Sequence, residues 1–220
     1  FPPSSAKLKT VTYRLDSVHD FAWFADKRYH IMVGEAQLDG SGKTIDTYAY
    51  FCNKNAKEWS KAVEYTADAL KHYSKLVGDY PYAVCKVVDG ALSAGAGMEY
   101  PSITIIAYPG TAEALDRVIA HEVGHNWFYG ILASNERNHP WMDEGMNSYY
   151  EKRYMAGKYP ETGVFGQLNI KPLRNLIHLD ELDKNAFNQM AYLFLARRND
   201  DQAAGCHAND FQTANYAGIN

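Results

Sequence analysis

Two histidines, His121 and His125, bracket a glutamate in the run His121-Glu122-Val123-Gly124-His125. Residues four apart on a helix lie one turn apart on the same face, so both imidazoles can converge on one ion. Glu122 stands about 100° round from His121 and reaches beside such an ion without having to ligate it. The arrangement suits a zinc hydrolase. Three protein ligands leave a fourth position for water, the metal lowers that water's pKa, and a nearby carboxylate takes the proton as attack proceeds. The bland alternative is a solvated helix face carrying two histidines. The candidate third ligand is Glu144, with eighteen residues between it and His125, at the start of the next expected helix. A loop between antiparallel helices can return that carboxylate to the histidine face, although first-turn glutamates also occur for the helix dipole alone.

These residues need elements to position them. Partial alternation over Lys9–Leu15 predicts a strand, as do Tyr29–Val33 and Ile45–Phe51, which flank the turn Asp39-Gly40-Ser41-Gly42, a candidate domain boundary. Apolar residues at three-and-four spacing predict a helix capped by Asn55 and running to about Val77, where Gly78 stops it. Buried strands are expected at Tyr82–Val88 and Ile103–Ala107 around a glycine-rich segment. Helices are then expected from Thr111, as N-cap, to about Tyr129, from Trp141 to Met155, and over Thr162–Leu182 and Ala186–Arg198.

Composition bounds the rest. The 220 residues are 46% hydrophobic and 22% charged, and 22 Lys plus Arg against 26 Asp plus Glu give a net charge of −4. That excludes disordered and strongly basic classes and disfavours nucleic acid as a partner. A chain of this size can bury a core unaided, so a bound metal serves chemistry rather than folding. No apolar run approaches the roughly 20 residues of a membrane span. Phe1-Pro2-Pro3-Ser4-Ser5 has neither a basic nor an apolar leader region, and the start reads as a cut in a longer chain. Cys52, Cys85 and Cys206 are expected as buried, unbridged thiols.

His121-Glu122-x-x-His125-x18-Glu144, with Trp127 two residues past the second histidine and Trp141 just before Glu144-Gly145, resembles the gluzincin metallopeptidases of the M1 aminopeptidase family. Gly97-Met98-Glu99-Tyr100-Pro101 is similar to that family's Gly-Ala-Met-Glu-Asn exopeptidase motif, with Gly97 in place of Ala and Tyr100 in place of Asn. Such forms resemble a bacterial branch of the family; the compartment stays open between an exported location, periplasmic or cell-envelope, which is favoured, and the cytoplasm. The resemblance implies an α+β, thermolysin-like fold: a small mixed β-sheet followed by a mainly helical half. Residues 1–40 would then be the last strands of a β saddle domain, with Val18–Trp23 among them, and 41–220 a catalytic domain truncated at its C-terminal end.

It also implies one zinc held by His121, His125 and Glu144, with Glu122 as general base, a peptide with a free N-terminus as substrate, and flanking domains missing from this chain. Gly97, Met98 and Glu99 would bind substrate. The physical reading of Glu99 agrees: an acidic group near the metal can anchor an α-ammonium and so restrict cleavage to the first residue. The family's oxyanion-stabilising tyrosine is Tyr216 or lies beyond Asn220. Glu113, Asp116 and Glu151 remain open as carboxylates that could orient a ligand histidine. His139 and the remaining histidines read as structural. The expected activity is zinc aminopeptidase, weak or absent in the chain alone, against two alternatives: a zinc endopeptidase or other hydrolase on the same site, or a non-catalytic scaffold that kept the fold.

Overall fold

The computed structural model describes residue 8 and residues 10–92, 97–107, 110–160 and 184–211. Five strands form one sheet: β1 (His30–Gln37), β2 (Thr44–Phe51), β3 (Val84–Asp89), β4 (Gly97–Met98) and β5 (Ile103–Ile106), in the order β1-β2-β3-β5-β4. The inner pairs β2/β3 and β3/β5 are parallel, and the outer pairs β1/β2 and β4/β5 are antiparallel. The helices are α1 (Ala56–Trp59), α2 (Ala62–Leu76), α3 (Ala112–His125), α4 (Met146–Lys158) and α5 (Lys184–Arg197). The class is mixed α and β, as expected.

The Asp39-Gly40-Ser41-Gly42 turn joins β1 to β2 within this sheet. Gly42 takes the left-handed φ of +69°, and its N–H donates to the Leu38 carbonyl at 2.8 Å. The turn read as a domain boundary therefore connects sheet neighbours. The strands expected over Lys9–Leu15 and in Val18–Trp23 do not form among the described residues. Residues 10–29 run as irregular chain with Val11, Tyr13, Phe21 and Trp23 exposed, because partial alternation makes a strand only where a partner takes its hydrogen bonds.

Strand β2 alternates Ile45, Thr47, Ala49 and Phe51 inward, and α2 covers that face with Ala62, Tyr65, Thr66, Ala69, Leu70 and Tyr73. The single helix expected from Asn55 is broken between Trp59 and Ala62. Asn55 does not cap it: its amide donates to both Asp89 carboxylate oxygens, at 3.0 and 3.1 Å, and so ties the entry turn to the end of β3. Beside α2, and touching β4 and β5, lies α3, capped as expected by Thr111, whose hydroxyl accepts from the Ala114 N–H at 3.1 Å. Leu115, Ile119 and Val123 carry α3 into the core with Trp59, Leu70, Tyr73 and Tyr80. Past His125 the chain continues in a wider π-helical turn, Asn126–Ile131, in which Trp127 stacks on Tyr73 at 5.3 Å and donates to the Gly78 carbonyl at 2.7 Å. A second π-helical turn, Trp141–Gly145, leads into α4. The expected Thr162–Leu182 helix lies outside the described residues. The three cysteines are unbridged, as expected, but only Cys85 is buried; Cys52 and Cys206 are partly exposed because they sit in connections rather than in the core.

Candidate metal centre

The last turn of α3 and the π-helical turn before α4 bring three side chains to one point. His121 Nε2 lies 3.2 Å from His125 Nε2 and 3.2 Å from Glu144 Oε2, and His125 Nε2 lies 3.8 Å from the same oxygen. Tetrahedral donors at ordinary zinc bond lengths stand about 3.3 Å apart, so this triangle has the size of one face of such a site. Two imidazoles and a carboxylate are the donor set of catalytic zinc. The helical spacing of the histidines and the return of Glu144 occur as the sequence predicts.

Behind each imidazole stands a carboxylate. His125 Nδ1 is 2.6 Å from Asp143 Oδ1, both groups buried, and His121 Nδ1 is 3.4 Å from Glu151 Oε2. Asp143, His125 and Glu99 also form a cluster compact enough to suggest a second cation position. The 2.6 Å contact argues against it, since two ligands of one ion stand farther apart; it is a hydrogen bond that turns His125 Nε2 toward the metal position. Of the three carboxylates left open by the sequence, Glu151 takes the orienting role. Asp116 is spent elsewhere, between Tyr154, Tyr159 and Lys158, and Glu113 sits in the first turn of α3. Asp143 was missed, although its place beside Glu144 was a usable signal.

Asn147 on α4 donates from its amide to the His121 carbonyl at 2.7 Å. The helices approach closely at Gly124, where an added Cβ would overlap Asn147 Oδ1 and the Tyr73 hydroxyl. Glycine is thus required for the two ligand-bearing segments to meet.

Burial opposes charge on both imidazoles, but the carboxylates around them outweigh it. Hydrogen bonding to Glu144 and Glu151 raises His121 well above the usual histidine range, and Glu99 with Asp143 raises His125 to about 9. A divalent cation fits this field by supplying the positive charge that protons otherwise provide. Glu122 is 4% exposed, and burial pushes its carboxyl up to about 7, where one group can both take and return a proton. Its carboxylate packs against the Gly97 backbone, leaving no room for a Cβ there, and its Oε2 is 3.5 Å from the Thr104 hydroxyl.

Strand β4 carries Gly97 and Met98 along the edge of the sheet, and Met98 is exposed. Glu99 follows it, 9% exposed, its carboxyl raised by burial and its oxygen within 4.8 Å of His125 and Asp143. Seven of the eight predicted site residues, Gly97, Met98, Glu99, His121, Glu122, His125 and Glu144, thus share one neighbourhood. The eighth, Tyr216, lies outside the described residues. His139 is exposed in the turn that starts at Asn135.

A family model described as Peptidase family M1 domain matches residues 61–193. Endoplasmic reticulum aminopeptidase 2 of Homo sapiens is 28% identical over 146 residues, covering 60% of this chain and 15% of that protein. Leucine aminopeptidase 2 of Vanderwaltozyma polyspora is 35% identical over 89 residues, 39% of this chain and 11% of that one. Leukotriene A-4 hydrolase of Xenopus laevis is 28% identical over 150 residues, 58% and 24% of the two chains. The chain therefore spans less than a quarter of the length of these curated relatives. In fold it is similar to an M1 zinc metallopeptidase from Deinococcus radiodurans, with TM-score 0.56 and 18% identity over 86% of this chain and 38% of that one.

Proposed function

The chain belongs to peptidase family M1, and from that premise we propose that it is the metal-bearing part of a zinc aminopeptidase acting on peptides with a free N-terminus. The observation that carries the reading is the convergence of His121 Nε2, His125 Nε2 and Glu144 Oε2 at 3.2 to 3.8 Å, with Glu122 beside them. The names of the aminopeptidase relatives and of the Deinococcus zinc metallopeptidase support it.

His121, His125 and Glu144 would hold one zinc. When bound there, zinc supplies Lewis acidity that makes water nucleophilic near neutral pH and polarises a carbonyl. Glu122 accepts the proton that the attacking water loses and returns it to the departing amine nitrogen. Gly97 and Met98 offer the edge of the sheet to an extended peptide. Glu99 pairs with the substrate α-ammonium and so fixes which peptide bond reaches the water.

The test compares an aminoacyl anilide with its N-acetylated copy, using zinc-loaded protein and its Glu122→Gln variant. The expected result is a strong preference for the free amine, with turnover lost in the variant by about 100-fold or more. Equal cleavage of both substrates, or unchanged turnover in the variant, would sink the proposal.

A further inference from the structure

The turn between Glu99 and β5 is tied to the end of the ligand helix by one buried amide, that of Asn126. Asn126, directly after His125, is 4% exposed. Its Oδ1 accepts from the Ser102 N–H at 2.9 Å and the Tyr80 hydroxyl at 3.4 Å, while its Nδ2 donates to the Val123 carbonyl at 2.9 Å. The donor to Val123 fixes which way the amide faces, so the oxygen points at the turn.

Ser102 needs that oxygen. It adopts the left-handed φ of +65°, which a side chain rarely takes, and it is 3% exposed. The turn closes from Ile103 N–H to the Tyr100 carbonyl at 3.2 Å, and the Ser102 carbonyl accepts from Lys86 N–H at 2.9 Å. Asn126 satisfies the remaining buried donor, and without it that N–H would be stranded in a strained turn. Glu99 lies three residues upstream of Ser102 and beside His125. One side chain therefore ties the loop bearing Glu99 to the helix bearing two metal ligands.

We infer that Asn126 is the positioning residue that sets the distance between the Glu99 carboxylate and the metal site, and hence the selectivity for a free α-amine. This rests on the aminopeptidase reading. The residue type matters: Ala removes every bond, whereas Asp keeps an oxygen for Ser102. Tyr80→Phe removes a bond to the same oxygen and leaves the turn's own bond in place.

The experiment uses zinc-loaded protein and four forms: wild type, Asn126→Ala, Asn126→Asp and Tyr80→Phe. Two quantities are read: kcat/KM on an aminoacyl anilide relative to its N-acetylated copy, and amide hydrogen exchange over residues 99–103. Asn126→Ala should lower the free-amine preference about tenfold or more, chiefly through KM, and deprotect the Ser102 amide. Zinc content should stay at one per chain. Asn126→Asp and Tyr80→Phe should keep the preference within about threefold. An unchanged preference or unchanged Ser102 protection in Asn126→Ala overturns the inference, as does Asn126→Asp losing as much as Ala. If Asn126→Ala fails to fold, the Asp and Phe forms decide: both keeping the preference within about threefold with the Ser102 amide still protected supports the inference, and a larger loss in either overturns it. A wild type without amine preference contradicts the aminopeptidase reading instead, and the exchange data still judge the positioning role.

Discussion

Asp143 and His125 form a buried pair, with Oδ1 and Nδ1 2.6 Å apart. A carboxylate on Nδ1 holds that nitrogen as the donor, leaves Nε2 as the free lone pair and makes it a stronger ligand. Asp143→Ala is therefore predicted to weaken zinc affinity about 10- to 100-fold with the fold retained. Asp143→Asn, which keeps an acceptor oxygen, should lose less. Titration against a competing chelator measures both, and equal affinity in wild type and Asp143→Ala would contradict the role.

Gly124 is the point of closest approach between α3, Tyr73 of α2 and Asn147 of α4. Gly124→Ala gains helix propensity but forces a methyl into two packed groups. The packing conflict should win, with a net loss of about 1–3 kcal/mol in urea unfolding and weaker zinc binding, because Asn147 also holds the His121 carbonyl. A stabilised variant would show that the helices separate at no cost.

Asp116 is fully buried, with Tyr154 and Tyr159 hydroxyls each donating at 2.7 Å and Lys158 Nζ at 2.8 Å. It staples α3 to α4 at the end of α4 remote from Glu144. Removing it takes away the acceptor of both hydroxyls, while Lys158 still donates to the Tyr154 hydroxyl at 2.8 Å and to Asp68 at 2.7 Å. Asp116→Ala should cost about 3–5 kcal/mol in denaturant unfolding. A cost under about 1 kcal/mol would mean that the network adds little.

Burial pushes the Cys85 thiol up to about 11, while Cys52 and Cys206 are partly exposed. Alkylation of native protein near pH 8 should modify Cys52 and Cys206 well before Cys85, which should react only on unfolding. Peptide mapping reads the order directly, and early labelling of Cys85 would refute its burial.

What was legible in the sequence was what short-range geometry dictates. His121 and His125 are one helical turn apart, so their convergence needs nothing beyond α3. The stripe Thr66, Ala69, Leu70, Tyr73 marks α2 in the same way. Glu144 was legible because a short connection between antiparallel helices leaves it few places to go. Interactions set by distant residues were not. Asp89 draws the Asn55 side chain away from capping across 34 positions, a partner that periodicity does not reveal. The early residues alternate in part but meet no partner strand among those described, so their pattern has nothing to pair with. Asn126 resembles any polar residue at a helix end until Ser102 is seen to turn beneath it.

Zinc stoichiometry, measured by elemental analysis on folded protein, tests the central claim most directly. The account predicts one zinc per chain in the wild type and in Glu122→Gln, because Glu122 is not one of the three converging donors. It predicts loss of stoichiometric zinc in Glu144→Ala and in His125→Ala, with circular dichroism confirming that the helices remain. A wild type that takes up no stoichiometric zinc, or a Glu144→Ala protein that binds it as tightly as wild type, would contradict the account.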